Sequence, residues 1–205
     1  MSRTKIAVAC TLVASLALFV GVANAQDNNS DTLKVDYFAN AHTTGAPDAT
    51  ERILNPGTST VGAGNLCADI YVFDANEELS ECCSCIITPD GLLTLSVNND
   101  LTGDPLTGVV LSTGVIKVVS ALTTWAGGAP TCPIPVKPAP AATLRAWVTH
   151  IQNGSFALTE SGSPDAGLSP AELGRLGSQC NSIRKVGSGK GICANSAALA
   201  AICNN

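Results

Sequence analysis

The chain has 205 residues, with 16 acidic against 11 basic side chains, a net charge of -5, 45% hydrophobic residues and only 13% charged ones. Such a composition excludes a natively disordered chain, and an acidic surface repels nucleic acid and anionic lipid at long range. Aromatic residues at 4% leave an aliphatic core and little material for a sugar platform of stacked rings; the length suits one domain, with or without a small appendage.

The first residues address the compartment. Arg3 and Lys5 precede an apolar run from Ile6 to Val22, and Ala23-Asn24-Ala25 follows as a small-x-small cleavage site. Residues 1–25 therefore read as a secretory signal peptide, with Gln26 the new N-terminus. The run is shorter than the roughly 20 residues of a membrane-spanning helix. Cys10 sits early in it, not at its end, where a lipidated cysteine would close it. Without the leader, nine basic and sixteen acidic groups remain, a net charge of -7. Eight cysteines remain too: Cys67, Cys82, Cys83, Cys85, Cys132, Cys180, Cys193 and Cys203. An even count in an exported chain reads as a disulfide framework, for which roughly a hundred pairings are possible.

Short β-rich runs separated by turn signals follow. Leu33 to Ala41 alternates, with Val35, Tyr37 and Ala39 on one side; Glu51 to Leu54 stops at Asn55-Pro56-Gly57. Cys67 to Asp74 is β-branched and aromatic, Ala75 to Glu78 is turn material, and Leu79 begins a return strand through the cysteine triplet. Gly91 to Asn98 and Gly114 to Leu122 complete the set. The expected fold is mainly β, an antiparallel β-sandwich over residues 26–132. In the hairpin, Phe73 opposite Leu79 would set Cys67 opposite Cys85, and a tighter turn opposite Cys83. Successive strand residues point to opposite faces, so Cys83 and Cys85 share a face and Cys82 takes the other. One of the three is expected to bridge to Cys67 while the others hold different segments.

Beyond Cys132, Pro133, Pro135, Pro138 and Pro140 mark a stiff connector over residues 133–142. Residues 143–205 are expected to form a β-hairpin and a C-terminal helix, disulfide-tethered and packed on the core. Leu144, Trp147, Val148 and Ile151 have helical spacing. Asn153-Gly154, however, is a strong hairpin signal that would set Ile151 opposite Phe156, and the hairpin is preferred. Ser169-Pro170-Ala171-Glu172 is a capping box with proline at the first helical position. Leu173, Leu176, Cys180 and Ile183 then share one face, and Gly187 ends the helix.

No catalytic, cofactor-binding or metal-binding residue can be assigned from motifs. The cysteine triplet lacks the second knuckle of a zinc site. Cys82 and Cys85 have redox spacing but precede strand and turn residues rather than open a helix. Gly187 to Gly191 (GSGKG) lacks the Ser/Thr and the earlier glycine of a phosphate loop and follows a helix instead of opening one. Ser182 and Lys185 match a β-lactamase Ser-x-x-Lys without its partner motifs. Asp74, Asn76 and Glu78 alternate like the start of a calcium loop, but Leu79 and Cys85 occupy the positions of its glycine and last glutamate. Glu77, Glu78 and Glu81 could be glycosidase carboxylates, although a solvated turn explains them more simply. Asn28-Asn29-Ser30 and Asn153-Gly154-Ser155 match glycosylation acceptors.

The succession LCADIYVFDANEELSECCSC, GLLTLSVN, GVIKVVS and GSGKGIC resembles a group of secreted, cysteine-rich bacterial proteins without an assigned activity. The resemblance spans most of the mature chain and implies bacterial export, to the periplasm, the cell surface or the medium. It implies no chemistry. Two function classes remain. One is a non-enzymatic binding or surface-structural protein with an unknown extracellular ligand or surface as partner, without nucleic acid, and without membrane contact after signal cleavage. The other is a small secreted hydrolase built around His150 with an Asp or Glu. They differ in whether His42 or His150 lies in a cleft within reach of both a carboxylate and a hydroxyl.

Overall fold

The computed structural model describes residues 32–132, 139–141, 143–193 and 202–204. The expected leader and its cleavage site lie outside these residues, as do 133–138 and 142 of the connector. Twelve strands and one α-helix follow in order: β1 Leu33–Ala39, β2 Thr50–Leu54, β3 Leu66–Asp74, β4 Leu79–Ile87, β5 Leu92–Ser96 and β6 Thr113–Leu122. Then come β7 Thr124–Ala126, β8 Ala129–Thr131, β9 Arg145–Ile151, β10 Leu158–Gly162, β11 Asp165–Ala166, α1 Pro170–Val186 and β12 Cys203–Asn204.

These form two antiparallel sheets, ordered β11-β1-β6-β3-β4-β12 and β10-β9-β2-β5, and a separate β7-β8 hairpin. The sheets pack through one apolar cluster. Phe38, Leu66, Ile70, Val72, Ile116 and Val118 come from the six-stranded sheet; Ile53, Leu95, Ala146, Val148 and Ile151 come from the four-stranded one. The fold is thus the expected mainly-β antiparallel sandwich with a C-terminal helix linked to the sheet by a disulfide.

The helix covers the outer face of the six-stranded sheet, which explains why β3 and β4 are buried on both faces. In β3, Leu66, Ala68, Ile70 and Val72 point into the sandwich, while Tyr71 and Phe73 meet Leu176, Cys180 and Ile183 of α1. The helix starts where its capping box predicts: Ser169 Oγ accepts the Glu172 amide at 3.1 Å, and Gly187 caps the C-terminus. Gly114 marks a close crossing, because a Cβ there would lie 2.0 Å from the Phe73 carbonyl oxygen and 2.8 Å from the Phe38 ring. In β1, Val35 packs toward the helix and Phe38 packs into the sandwich.

Four disulfides join Cys67 to Cys132, Cys82 to Cys180, Cys83 to Cys193 and Cys85 to Cys203. Cys83 and Cys85 lie in the sandwich core and Cys82 in the helix-facing cluster, as strand alternation requires. The expected bridge from Cys67 to the triplet does not form. Phe73 does pair with Leu79, but a bulge between Val72 and Phe73 moves Cys67 opposite Ile86 and places Ala68 opposite Cys85. That one-residue slip turns Cys67 to the other face from Cys83 and Cys85. The C-terminal chain instead borders β4: the Cys82 amide donates to the Gly191 carbonyl, and the Ile86 amide to that of Ile202.

Two further differences concern residues 143–205. The hairpin over Asn153-Gly154 is present, but Ile151 pairs with Leu158 rather than Phe156. Phe156 adopts a left-handed conformation and belongs to a wider turn; a shift of two residues leaves every side chain on its intended face. The segment is also more than a body packed on a finished core. β9 pairs with β2, so the hairpin supplies half of the four-stranded sheet. The boundary expected at Cys132 therefore does not separate two units.

Candidate functional site: a groove between helix and sheet

His150 comes first, because the hydrolase reading depends on it. It projects from β9, its side chain 8% exposed. Nε2 lies 2.7 Å from Ser161 Oγ and 3.5 Å from Asp36 Oδ1, and the ring stacks on Tyr37 with centroids 4.2 Å apart. A hydroxyl and a carboxylate are therefore both near. A proton relay, however, needs them on opposite ring nitrogens, so that the carboxylate holds one N–H while the other nitrogen receives the hydroxyl proton. Here both face Nε2, and Nδ1 is buried without a hydrogen-bond partner. Glu51 adds a second carboxyl beside Asp36. Burial first, then the Asp36 charge, pushes its carboxyl well above the usual range. His150, Asp36 and Glu51 are buried in this seam between the sheets, with Tyr37 and Ser161 exposed at its rim.

The remaining motif residues are also placed. His42 Nε2 hydrogen-bonds Thr102 Oγ1 at 2.8 Å in a surface turn. Asp74 Oδ1 accepts the amides of Asn76 and Glu78 at 2.8 and 2.9 Å, so the calcium-like spacing builds a hairpin turn. Glu77 and Glu78 are exposed on that turn, whereas Glu81 is buried and accepts the Asp104 amide at 2.9 Å. The three glutamates do not converge. Burial pushes the Glu81 carboxyl up to about 8, against the lowering effect of that amide. Ser182 Oγ donates back to the Ser178 carbonyl on an exposed helix face. In the GSGKG segment, Lys190 pairs with Asp104 at 2.9 Å and the Gly191 amide donates to the Asp104 carbonyl, fastening the helix end to the loop before β6. Asn153 to Ser155 is exposed in the β9-β10 turn, and Asn28 lies outside the described residues. Among the described residues, no group of three or more His, Cys, Asp or Glu side chains is arranged to hold a metal ion.

What the motifs do not reveal is a groove of about 550 Å³ between α1 and the outer face of the six-stranded sheet. Val35 of β1, Phe73 of β3 and Val115 of β6 give it an apolar floor; Asp74, Glu77, Lys117 and Arg175 give it charged walls. The cations are arranged around one carboxylate. Glu172, in the first turn of α1, accepts Lys117 Nζ at 2.7 Å and both Nε and Nη2 of Arg175 at 2.8 Å. The Arg175 hydrogen bonds, then those of Lys117, hold the Glu172 carboxyl down at about 2 despite its partial burial. Lys117 Nζ and Arg175 Cζ stand 5.3 and 5.2 Å from the centre of the Phe73 ring, within cation–π range.

Hydrogen-bond capacity is left over. A guanidinium carries five N–H donors and an ammonium three. Arg175 directs one through Nε and one through Nη2 to Glu172, and one through Nη1 to Gln179. Lys117 directs one to Glu172. Two donors on each cation therefore have no partner among the described residues. At the turn between β3 and β4, Asp74 Oδ2 and the Glu77 carboxylate, whose charge reaches Arg175, accept no hydrogen bond among the described residues either. No spacing rule could have flagged this site, since its residues run from 35 to 175. The nearest local signal was Glu172, which the sequence marks only as part of a cap. The chain matches no family model, no curated protein and no solved structure.

Proposed function

We propose that the mature chain is a secreted, disulfide-stabilised, non-enzymatic binding protein that takes its ligand in the groove between α1 and the six-stranded sheet. The observation that carries this reading is the Glu172-centred pair of cations over Phe73, fixed in place yet holding unspent donors toward open space. Water satisfies these donors in the free protein, and a ligand that displaced it would find both cations already oriented by Glu172. Export is supported by the leader pattern and by four disulfides, which persist in oxidising compartments. No helix among the described residues is long and apolar enough to cross a membrane.

The test is a fragment screen by ¹H–¹⁵N correlation NMR on the oxidised mature protein. Fragments that bind should shift the amides of Phe73, Val115, Lys117 and Arg175 together. A screen that moves other surfaces and leaves these amides unperturbed would overturn the reading.

A further inference from the structure

The groove presents both signs of charge across an apolar floor, and this restricts what it can hold. Lys117 of β6 and Arg175 of α1 flank Glu172, with four N–H donors unspent. Asp74 and Glu77 line the turn between β3 and β4, with free acceptor oxygens. A simple anion would gain the cations but face two carboxylates; a simple cation would meet the reverse. A neutral sugar would find one ring, Phe73, already engaged by both cations. A ligand with an anionic and a cationic end and an apolar middle satisfies both walls and the floor.

Resting on the binding reading above, we propose that the groove binds short peptides with free termini and an apolar side chain. The C-terminal carboxylate would meet Arg175 and Lys117, the N-terminal ammonium Glu77 and Asp74, and the side chain Val35 and Val115 of the floor. A planar guanidinium with one N–H free on each terminal nitrogen suits a carboxylate, which accepts two parallel hydrogen bonds. The volume, about 550 Å³, lies in the range of small-ligand sites and suits a di- or tripeptide.

The experiment is isothermal titration of the oxidised mature protein with leucyl-leucine, N-acetyl-leucyl-leucine and leucyl-leucine amide. The variants are Glu77→Gln and Arg175→Gln, each shown by thermal melt to be folded. Saturable binding of leucyl-leucine is expected, weakened about tenfold by blocking either end, as for loss of one charge-assisted contact. Glu77→Gln should shrink the penalty for N-acetylation, Asp74 remaining, while keeping that for amidation in full, and Arg175→Gln should do the opposite, Lys117 remaining. Binding that ignores both termini, or no binding of leucyl-leucine at about 10 mM, overturns the peptide assignment. If fragments still shift the groove amides, only the ligand class has failed; if none do, the binding reading fails with it.

Discussion

Three of the four disulfides converge on β4, and this convergence makes their energetic contributions unequal in a way that can be measured. Taken singly, Cys82–Cys180, Cys83–Cys193 and Cys85–Cys203 span 98, 110 and 118 residues. On the chain-entropy account, closing a loop of that size stabilises by about 5 kcal/mol. With the other two in place the loops are much smaller. While Cys83–Cys193 is closed, Cys82 and Cys180 are joined through one residue of β4 and thirteen of the C-terminal chain. The added bridge then closes about 14 residues, worth about 3 kcal/mol. Cys85–Cys203 closes about 12 on the same reasoning, and Cys83–Cys193 divides the ring left by its neighbours into similar pieces. Cys67–Cys132 shares no such shortcut. Its 65 residues make it worth about 4.3 kcal/mol whether or not the others are intact.

The perturbation is therefore a set of paired Cys→Ala variants, alanine avoiding a buried hydroxyl. The measurement is equilibrium guanidinium unfolding without reductant, after thiol titration of the denatured protein has shown no free cysteine. C82A/C180A, C83A/C193A and C85A/C203A should each lose about 3 kcal/mol, and C67A/C132A about 4. Once two of the three β4 bridges are gone, the last should cost about 5, with a rising m-value as the unfolded chain expands. Equal losses of about 5 kcal/mol at all four bridges would refute the nested-loop reasoning. So would a β4 bridge that costs more, when removed first, than Cys67–Cys132.

Other predictions follow from burial and local geometry. For Glu81, the folded carboxyl stands at about 8 against 4.5 for the exposed group, so between those pH values the native state holds a proton that the unfolded chain has released. Stability should accordingly be greatest below pH 4.5 and fall by about 1.4 kcal/mol per pH unit up to pH 8 on account of this group. E81Q should flatten that limb of a stability–pH profile and exceed the parent at pH 8; an unchanged slope would argue against the buried proton. Gly114→Ala should cost about 3 kcal/mol or more, since its Cβ would collide with the Phe73 carbonyl between two paired strands, and a chemical-denaturation midpoint within experimental error of the parent would contradict it. Ser169→Ala should cost about 1 kcal/mol by uncapping α1, read as a lower thermal midpoint; no change would mean that tertiary packing alone fixes the helix start.

The parts of the fold that could be read from the sequence are those held by local chemistry. β3, the turn after Asp74 and β4 follow from β-branched runs around four turn residues, three of them polar. The helix follows from Ser169, Pro170 and Gly187, each acting within a turn of its own position. Gly127-Gly128, both with positive φ, is a hairpin signal of the same kind and forms the β7-β8 turn. What could not be read is whatever a single residue's slip decides. The bulge between Val72 and Phe73 leaves both strands intact yet changes the partner of Cys67, because parity along a strand selects the face and the face selects the bridge.

The groove is illegible for a different reason. Its floor comes from three strands and its cations from β6 and α1, so the site exists only after the helix has docked. Docking in turn depends on Cys82 pointing outward to Cys180. The cysteine triplet of β4 thus bears on the candidate site without taking part in it. Cys83 and Cys85 fix the C-terminal chain from inside the sandwich, and Cys82, one residue out of phase, holds the helix that carries Glu172 and Arg175 over Phe73. Adjacent cysteines on a strand cannot serve one face. In this chain that constraint becomes the means by which one strand anchors both the core and the helix that borders the groove.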